Sequence, residues 1–303
     1  NAFINPWVGA FIEVDKGGNS TEFTPVVHRA WFTIGNLNRT PFYMSAGQMY
    51  VPFGSYSSSM LSDPLTQTLF RSENPTALLG VSMGSFYGQA YVYEGHAVKN
   101  SDAIENGGVN LGYGFTAGRY NFTMGAGVIS NVGDSNNIAA AYGSTKFGSR
   151  TPGVDVHAEE SLQLKNFTIG GKAEYIQALG KMQNSTFDGK LAQPSAVHVE
   201  GDLDTTIMDR PVGTFLAYGH SWQGLGINTT DNDSSHYVDW TNLPQWMIAT
   251  GVNASIWRGT IESLEYRYNQ AYNTTATFGN VKNSVTQNGK SENIVSMEIT
   301  AYF

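Results

Sequence analysis

The stretch VDVHAEESLQLK, from Val154 to Lys165, decides the fold. In an extended chain successive side chains leave on opposite faces. Val154, Val156, Ala158, Leu162 and Leu164 therefore share one face, and Asp155, His157, Glu159, Ser161, Gln163 and Lys165 share the other. One face asks for lipid and the other for water. Residues 197–207 repeat the pattern, with Val197, Val199, Leu203 and Ile207 opposed to His198, Glu200, Asp202 and Asp204. The last run sets Val295, Met297, Ile299, Ala301 and Phe303 against Ser296, Glu298 and Thr300. Strands of this kind build either a soluble sandwich or a membrane barrel.

Composition separates the two. The 303 residues are 41% hydrophobic and only 14% charged, against about 25% charged in an ordinary soluble domain. No run of roughly 18 apolar residues is present, so no helix is long enough to span a bilayer, and the mean hydropathy is −0.25. A barrel reconciles these facts, because lipid-facing and lumen-facing residues alternate and cancel in any window. Aromatic residues gather near the ends of the runs, among them Phe42, Tyr43, Tyr91, Tyr93, Tyr120, Tyr218, Trp222, Trp257 and Tyr266, as interfacial girdles would require. The terminal Ala301-Tyr302-Phe303 resembles the terminal aromatic of outer-membrane proteins that the barrel assembly machinery reads.

Short and long connections alternate along the chain. Short ones fall at residues 37–40, around Phe86, and at 119–120, 165–166, 210–211 and 258–259. Long polar ones fall at 55–75, 96–108, 134–153, 183–195, 227–244 and 274–291. With the first strand at 7–14 and the last at 294–303, the expectation is a single all-β domain over residues 1–303. It is a transmembrane antiparallel β-barrel of about 14 strands, give or take two, with both ends on the periplasmic side. An export signal and any N-terminal extension are expected to lie outside this sequence.

Several functions are disfavoured. With no cysteine, disulfides, thiolate metal sites and cysteine nucleophiles are excluded. A net charge of −8 offers no basic stripe for nucleic acid. No Gly-x-Ser-x-Gly elbow is present, and the best hydrolase candidate is His236 in a long acidic loop beside Asp231, Asp233 and Asp239. The chain is not expected to be an enzyme, and no cofactor is called for. His157 with Glu159, and His198 with Glu200, have metal-ligand chemistry, but period-two spacing on a polar wall explains them as well, and no metal site is assigned.

Alternation places Arg29, His157, Glu159, Lys172, Glu174, His198, Glu200, Asp202, Glu265, Arg267 and Glu298 on the lumen face. A wall carrying both signs of charge can orient a passing solute or simply pair across strands. Residues 55–70 are too apolar for a solvated loop, with Met60, Leu61, Leu65, Leu69 and Phe70 among Ser62, Asp63, Thr66 and Gln67. They are expected to fold inward and narrow the barrel, bringing Tyr50, Asp63 and Arg71 to the constriction and presenting the Ser57-Ser58-Ser59 run to solute.

The words GNLNRTPFYMSAGQMYVPFG (residues 35–54) and SDPLTQTL (62–69) resemble the LbtU-type siderophore porin family, outer-membrane barrels associated with siderophore-iron acquisition in certain gammaproteobacteria. Phosphate-selective and other specific porins share a YVPFG-like strand end. The resemblance implies a passive, selective channel in a Gram-negative outer membrane, with siderophore-iron as the favoured solute. A porin for another small anion or nutrient, a hydrophobic-substrate channel, and a non-conducting structural or adhesive barrel are the alternatives. Expected partners are outer-membrane lipid and lipopolysaccharide, the assembly machinery, and a small solute such as a ferric siderophore. Too few residues are present for a TonB-dependent barrel of about 22 strands with its plug.

Overall fold

The computed structural model of the chain describes residues 2–16, 25–95, 98, 104–142, 149–183, 185–187, 190–224, 243–278 and 284–302. Fourteen long strands form one antiparallel ladder in which each pairs with its neighbours in chain order. They are β1 (Val8–Lys16), β2 (Pro25–Gly35), β3 (Phe42–Tyr50), β4 (Glu73–Met83), β5 (Phe86–Glu94), β6 (Ile104–Ala117) and β7 (Tyr120–Ile129). The second half comprises β8 (Gly153–Gln163), β9 (Phe167–Ala178), β10 (Ser195–Ile207), β11 (Arg210–Trp222), β12 (Pro244–Ala254), β13 (Thr260–Ala271) and β14 (Ser291–Ala301). A short strand, Ala2–Asn5, adds to the outer edge of β1. No helix among the described residues is long and apolar enough to cross a membrane.

The pleat sorts the side chains as alternation requires. On β8, Val156 and Leu162 are exposed on the outer face while Asp155 and His157 are buried. On β10, Val199, Leu203 and Ile207 are exposed and His198, Glu200 and Asp202 are buried. On β14, Val295, Met297 and Ile299 face outward, whereas Phe303 lies outside the described residues. An apolar exterior around a polar interior inverts the soluble arrangement.

The ladder must curve. Leu61 donates its backbone N–H to Glu265 on β13, although its segment leaves the wall at Tyr50 on β3. Ser55 N of the same segment already meets Glu174 on β9, six strand spacings or about 29 Å away in a flat sheet, whereas five peptide steps from Tyr50 reach at most about 18 Å and a glutamate side chain with its hydrogen bond adds only about 7 Å. The sheet therefore wraps around this segment, and the barrel encloses it.

Cross-strand packing on the inner wall explains two glycines. A Cβ on Gly80 would stand 2.1 Å from the Tyr43 ring, and one on Gly112 would stand 2.1 Å from the Tyr87 ring. Only glycine lets these tyrosines lie flat on the neighbouring strand. The inner wall also corrects part of the girdle reading. Tyr91 and Tyr93 are buried inside, where their hydroxyls donate to the carbonyls of Val128 and Asn131. Phe42, Phe86, Trp257 and Tyr302 are exposed outside, as a girdle requires.

Three of the long connections are more structured than polar composition suggested. Residues 130–142 contain a 3-10 turn, Val132–Asp134, and a helix, Asn136–Tyr142. Ser185–Phe187, Lys190–Leu191, Asn273–Phe278 and Ser284–Asn288 form a separate four-stranded sheet on the long-loop side. The loop carrying Asp231, Asp233, His236 and Asp239 lies outside the described residues.

Candidate functional site

The inward segment starts at the YVPFG words. Val51 N donates to Ser72 O at 3.0 Å, closing the base of the loop. Pro52 withholds the N–H a ladder would need, and Gly54, at φ +81°, turns the chain. A Cβ at Gly54 would also strike the Tyr56 ring at 2.5 Å, so strand and redirection are both written locally. Burial pushes the Tyr56 hydroxyl well above its ordinary range and keeps it neutral.

Three wall glutamates then grip the segment in sequence. Glu174 Oε1 on β9 accepts from Ser55 N at 2.6 Å and Tyr56 N at 3.1 Å. On β10, Glu200 accepts from Ser58 Oγ at 2.6 Å and Ser59 N at 2.8 Å. Glu265 on β13 accepts from Leu61 N at 2.7 Å, Ser62 N at 3.2 Å and Ser62 Oγ at 2.5 Å. Adjacent wall groups reinforce them. Glu159 accepts from Ser55 Oγ at 2.8 Å, Asp202 from Ser59 Oγ at 2.7 Å, and Asn253 donates to Ser59 O at 3.2 Å. Lys172 Nζ lies 2.6 Å from Glu200 and 3.1 Å from Asp202, and donates to Ser59 Oγ at 2.8 Å. Glu200 and Glu265 are 2% and 1% exposed. A buried carboxylate is tolerated only when its lone pairs are satisfied, and here the segment's own N–H and O–H groups do so.

After Pro64 the segment forms a helix, α1 (Leu65–Phe70). Six residues are too few for a helix to stand alone in water. Packing holds it: Leu65, Leu69 and Phe70 are buried in one cluster with Ile176, Ala178, Ala196 and Met247 of the wall. Each such side chain is worth roughly 1.5–3 kcal/mol of burial. The 130–142 segment completes the helix end, with Ser135 Oγ donating to Leu69 O at 2.7 Å and Asn136 N to Arg71 O at 2.9 Å.

Beside this helix, two guanidinium groups lie over the ring of Tyr50. Arg29 Cζ lies 4.0 Å from the ring centroid and Arg71 Cζ 4.7 Å. Arg29 also pairs with Glu13, and Arg71 approaches Asp63 at 3.5 Å. Asp63 and Arg71 remain half-exposed, while Arg29 is more covered.

The residues read from the sequence thus fall into two groups. Arg29, Tyr50, Asp63 and Arg71 come together beside α1. Glu159, Glu200, Asp202 and Glu265 meet the inward segment instead, so the Ser58 and Ser59 hydroxyls are directed at wall carboxylates and not presented to solute. His198 is buried with Nε2 3.3 Å from Glu200, and His157 Nδ1 lies 2.8 Å from Asp155 with Nε2 3.3 Å from Tyr87 Oη. Arg267 is half-buried on the inner face of β13 and joins neither group. Alternation alone could not reveal the clasp, because it fixes a residue's face and not what crosses the lumen opposite it.

The class this geometry defines is an outer-membrane-type β-barrel with an internal constriction segment. Comparison with known proteins agrees at that level. Over 99% of its length the chain is 31% identical to a UPF0422 protein of Coxiella burnetii, covering 64% of that protein. Over its full length it is 31% identical to the UPF0422 protein lpl2888 of Legionella pneumophila strain Lens, covering 59% of it. The chain therefore spans about three fifths of the length of the curated relatives it matches. No family model matches it. Among solved structures, the outer membrane channel DcaP of Acinetobacter baumannii aligns over 97% of this chain and 80% of its own, with TM-score 0.58 and 14% identity. The anion-selective porin of Comamonas acidovorans aligns over 90% of this chain and 76% of its own, with TM-score 0.55 and 10% identity. These likenesses concern the fold. The relatives do not carry the siderophore porin name that the motif suggested.

Proposed function

We propose that this chain resides in the outer membrane and acts as a passive, solute-selective channel, its pathway narrowed by residues 51–72. One observation carries the reading: the segment crosses the lumen and is held there by Glu174, Glu200 and Glu265. A barrel serving only as a scaffold has no use for a segment pinned inside it. Outer-membrane lipid and lipopolysaccharide around the wall, and the assembly machinery during insertion, are the partners this location entails.

For the solute, the half-exposed pair Arg71 and Asp63 beside Tyr50 and Arg29 favours an anionic or zwitterionic molecule with a planar group, because guanidinium binds oxyanions in a fork and stacks on aromatic faces. Siderophore-bound iron fits that class and is supported by the motif resemblance at residues 35–54. The name of the Comamonas porin points to small anions in general. Conductance of the purified protein in planar bilayers tests both levels. Steady ohmic steps with an ion-selectivity offset are expected, and a silent barrel would refute the channel. Block by ferric siderophore but not by phosphate or sugar would support the finer reading, and block by phosphate alone would replace it.

A further inference from the structure

On the wall beside Arg29, we propose a divalent first-row metal site formed by Glu13, Asp15 and His28. It does not depend on the channel reading. The β1–β2 ladder contains an irregularity: Glu13 is opposite Arg29, and the next pair is Val14 with Val27, which leaves His28 as the extra residue. Strict alternation from an inward Arg29 would turn His28 to the lipid. The bulge turns it inward instead, beside the two carboxylates of β1, and bulges commonly re-aim a side chain in this way.

His28 Nδ1 lies 3.0 Å from Asp15 Oδ2 and 3.3 Å from Glu13 Oε1. These are the spacings of ligands about 2.0–2.2 Å from a shared ion, which stand roughly 3–3.5 Å apart. The supporting contacts are also arranged as such a site requires. Glu73 Oε2 lies 2.9 Å from His28 Nε2, and Glu73 is itself approached by Gln48 Nε2 at 3.4 Å. A neutral imidazole has one N–H and one lone pair. Donation of Nε2–H to Glu73 aims the Nδ1 lone pair at two carboxylates, an arrangement that a cation resolves. This carboxylate–histidine–metal relay is the usual second shell of imidazole ligands. Glu13 divides its oxygens similarly, Oε1 toward the site and Oε2 toward Arg29. With neutral His28, three carboxylates face one guanidinium, so a divalent ion also balances the local charge. Two carboxylates and one imidazole suit zinc, manganese or ferrous iron better than calcium.

Zinc titration of the barrel in detergent micelles, followed by calorimetry, tests the site. One equivalent of Zn²⁺ is expected to bind to the wild type. His28→Ala and Asp15→Asn should each weaken binding at least tenfold, and Glu73→Gln should weaken it by about ten- to a hundredfold through the second shell. Asp15 is 59% exposed, so its variant should fold normally, checked by the heat-dependent shift in gel mobility. If the wild type takes up no more zinc than the folded Asp15→Asn variant, the cluster is an imidazolium ion-pair network and the proposal is overturned.

Discussion

Glu265→Ala isolates the third grip on the constriction. The substitution removes the acceptor of Leu61 N, Ser62 N and Ser62 Oγ but leaves the β13 backbone ladder to β12 and β14 intact. Bonds to a charged acceptor contribute about 1.5–3 kcal/mol each when nothing replaces them. Water admitted to the lumen would recover part of this, so roughly 1 kcal/mol per bond is a fair lower figure, or about 3 kcal/mol in total. At about 1.4 kcal/mol per factor of ten, the equilibrium between seated and released conformations shifts by on the order of 100-fold. Leu65, Leu69 and Phe70 still anchor the far end of the segment, so the expected result is fluctuation and not loss of the loop. Single-channel recording should show a larger mean conductance and added open substates, with unchanged heat-modifiable migration on gels. Wild-type conductance without new substates, in correctly assembled protein, would show that the glutamate clasp does not set the pathway.

Four further outcomes follow from the same geometry. Leu65→Ala and Leu69→Ala should each cost about 2–5 kcal/mol of packing at the segment, read as earlier protease cleavage within residues 51–72 while the barrel core resists. Deleting residues 57–68 should raise conductance and weaken solute block without preventing assembly, and unchanged conductance with untouched block would confine selectivity to the wall. Arg71→Ala should move the reversal potential toward cations and weaken block by anionic solutes, whereas Lys172→Met, whose ammonium faces Glu200 and Asp202, should act mainly through the loop. A cysteine at Met208, 92% exposed in a short turn, should react with a membrane-impermeant probe only after the cells are opened. One at Lys190 should react from outside, and the reverse pattern would invert the topology.

Strand faces were legible because the alternation in residues 154–165 and 197–207 is strict and the two environments differ sharply. The even strand number followed from the alternation of short connections with long ones; the short turns of the structure run from two residues at Met208-Asp209, where 210–211 were expected to turn, to six at residues 36–41. Burial of residues 55–70 was legible from Leu65, Leu69 and Phe70. The form it takes was not: α1 has only six residues, too few for helical periodicity to register, and its seat is made by strands more than a hundred residues away. His28 escaped for a different reason. A bulge shifts parity by one residue, and nothing in the words PVVHRAW announces it. Glu200 and Glu265 were placed on the correct face, but their role depends on a segment whose path only closure of the ladder defines.

The clasp also bears on the order of assembly. Its contacts join residues separated by 119 positions at Glu174 and by 204 at Glu265, so the segment emerges early but finds its last partner only when β13 is in place. Contacts this distant in sequence form slowly. A nascent barrel therefore carries a loose, unmet run of serine hydroxyls and backbone donors in its interior until the final hairpins arrive. Completion of the wall and narrowing of the pathway become one event, and a barrel halted before β13 would be both unsealed and unfiltered.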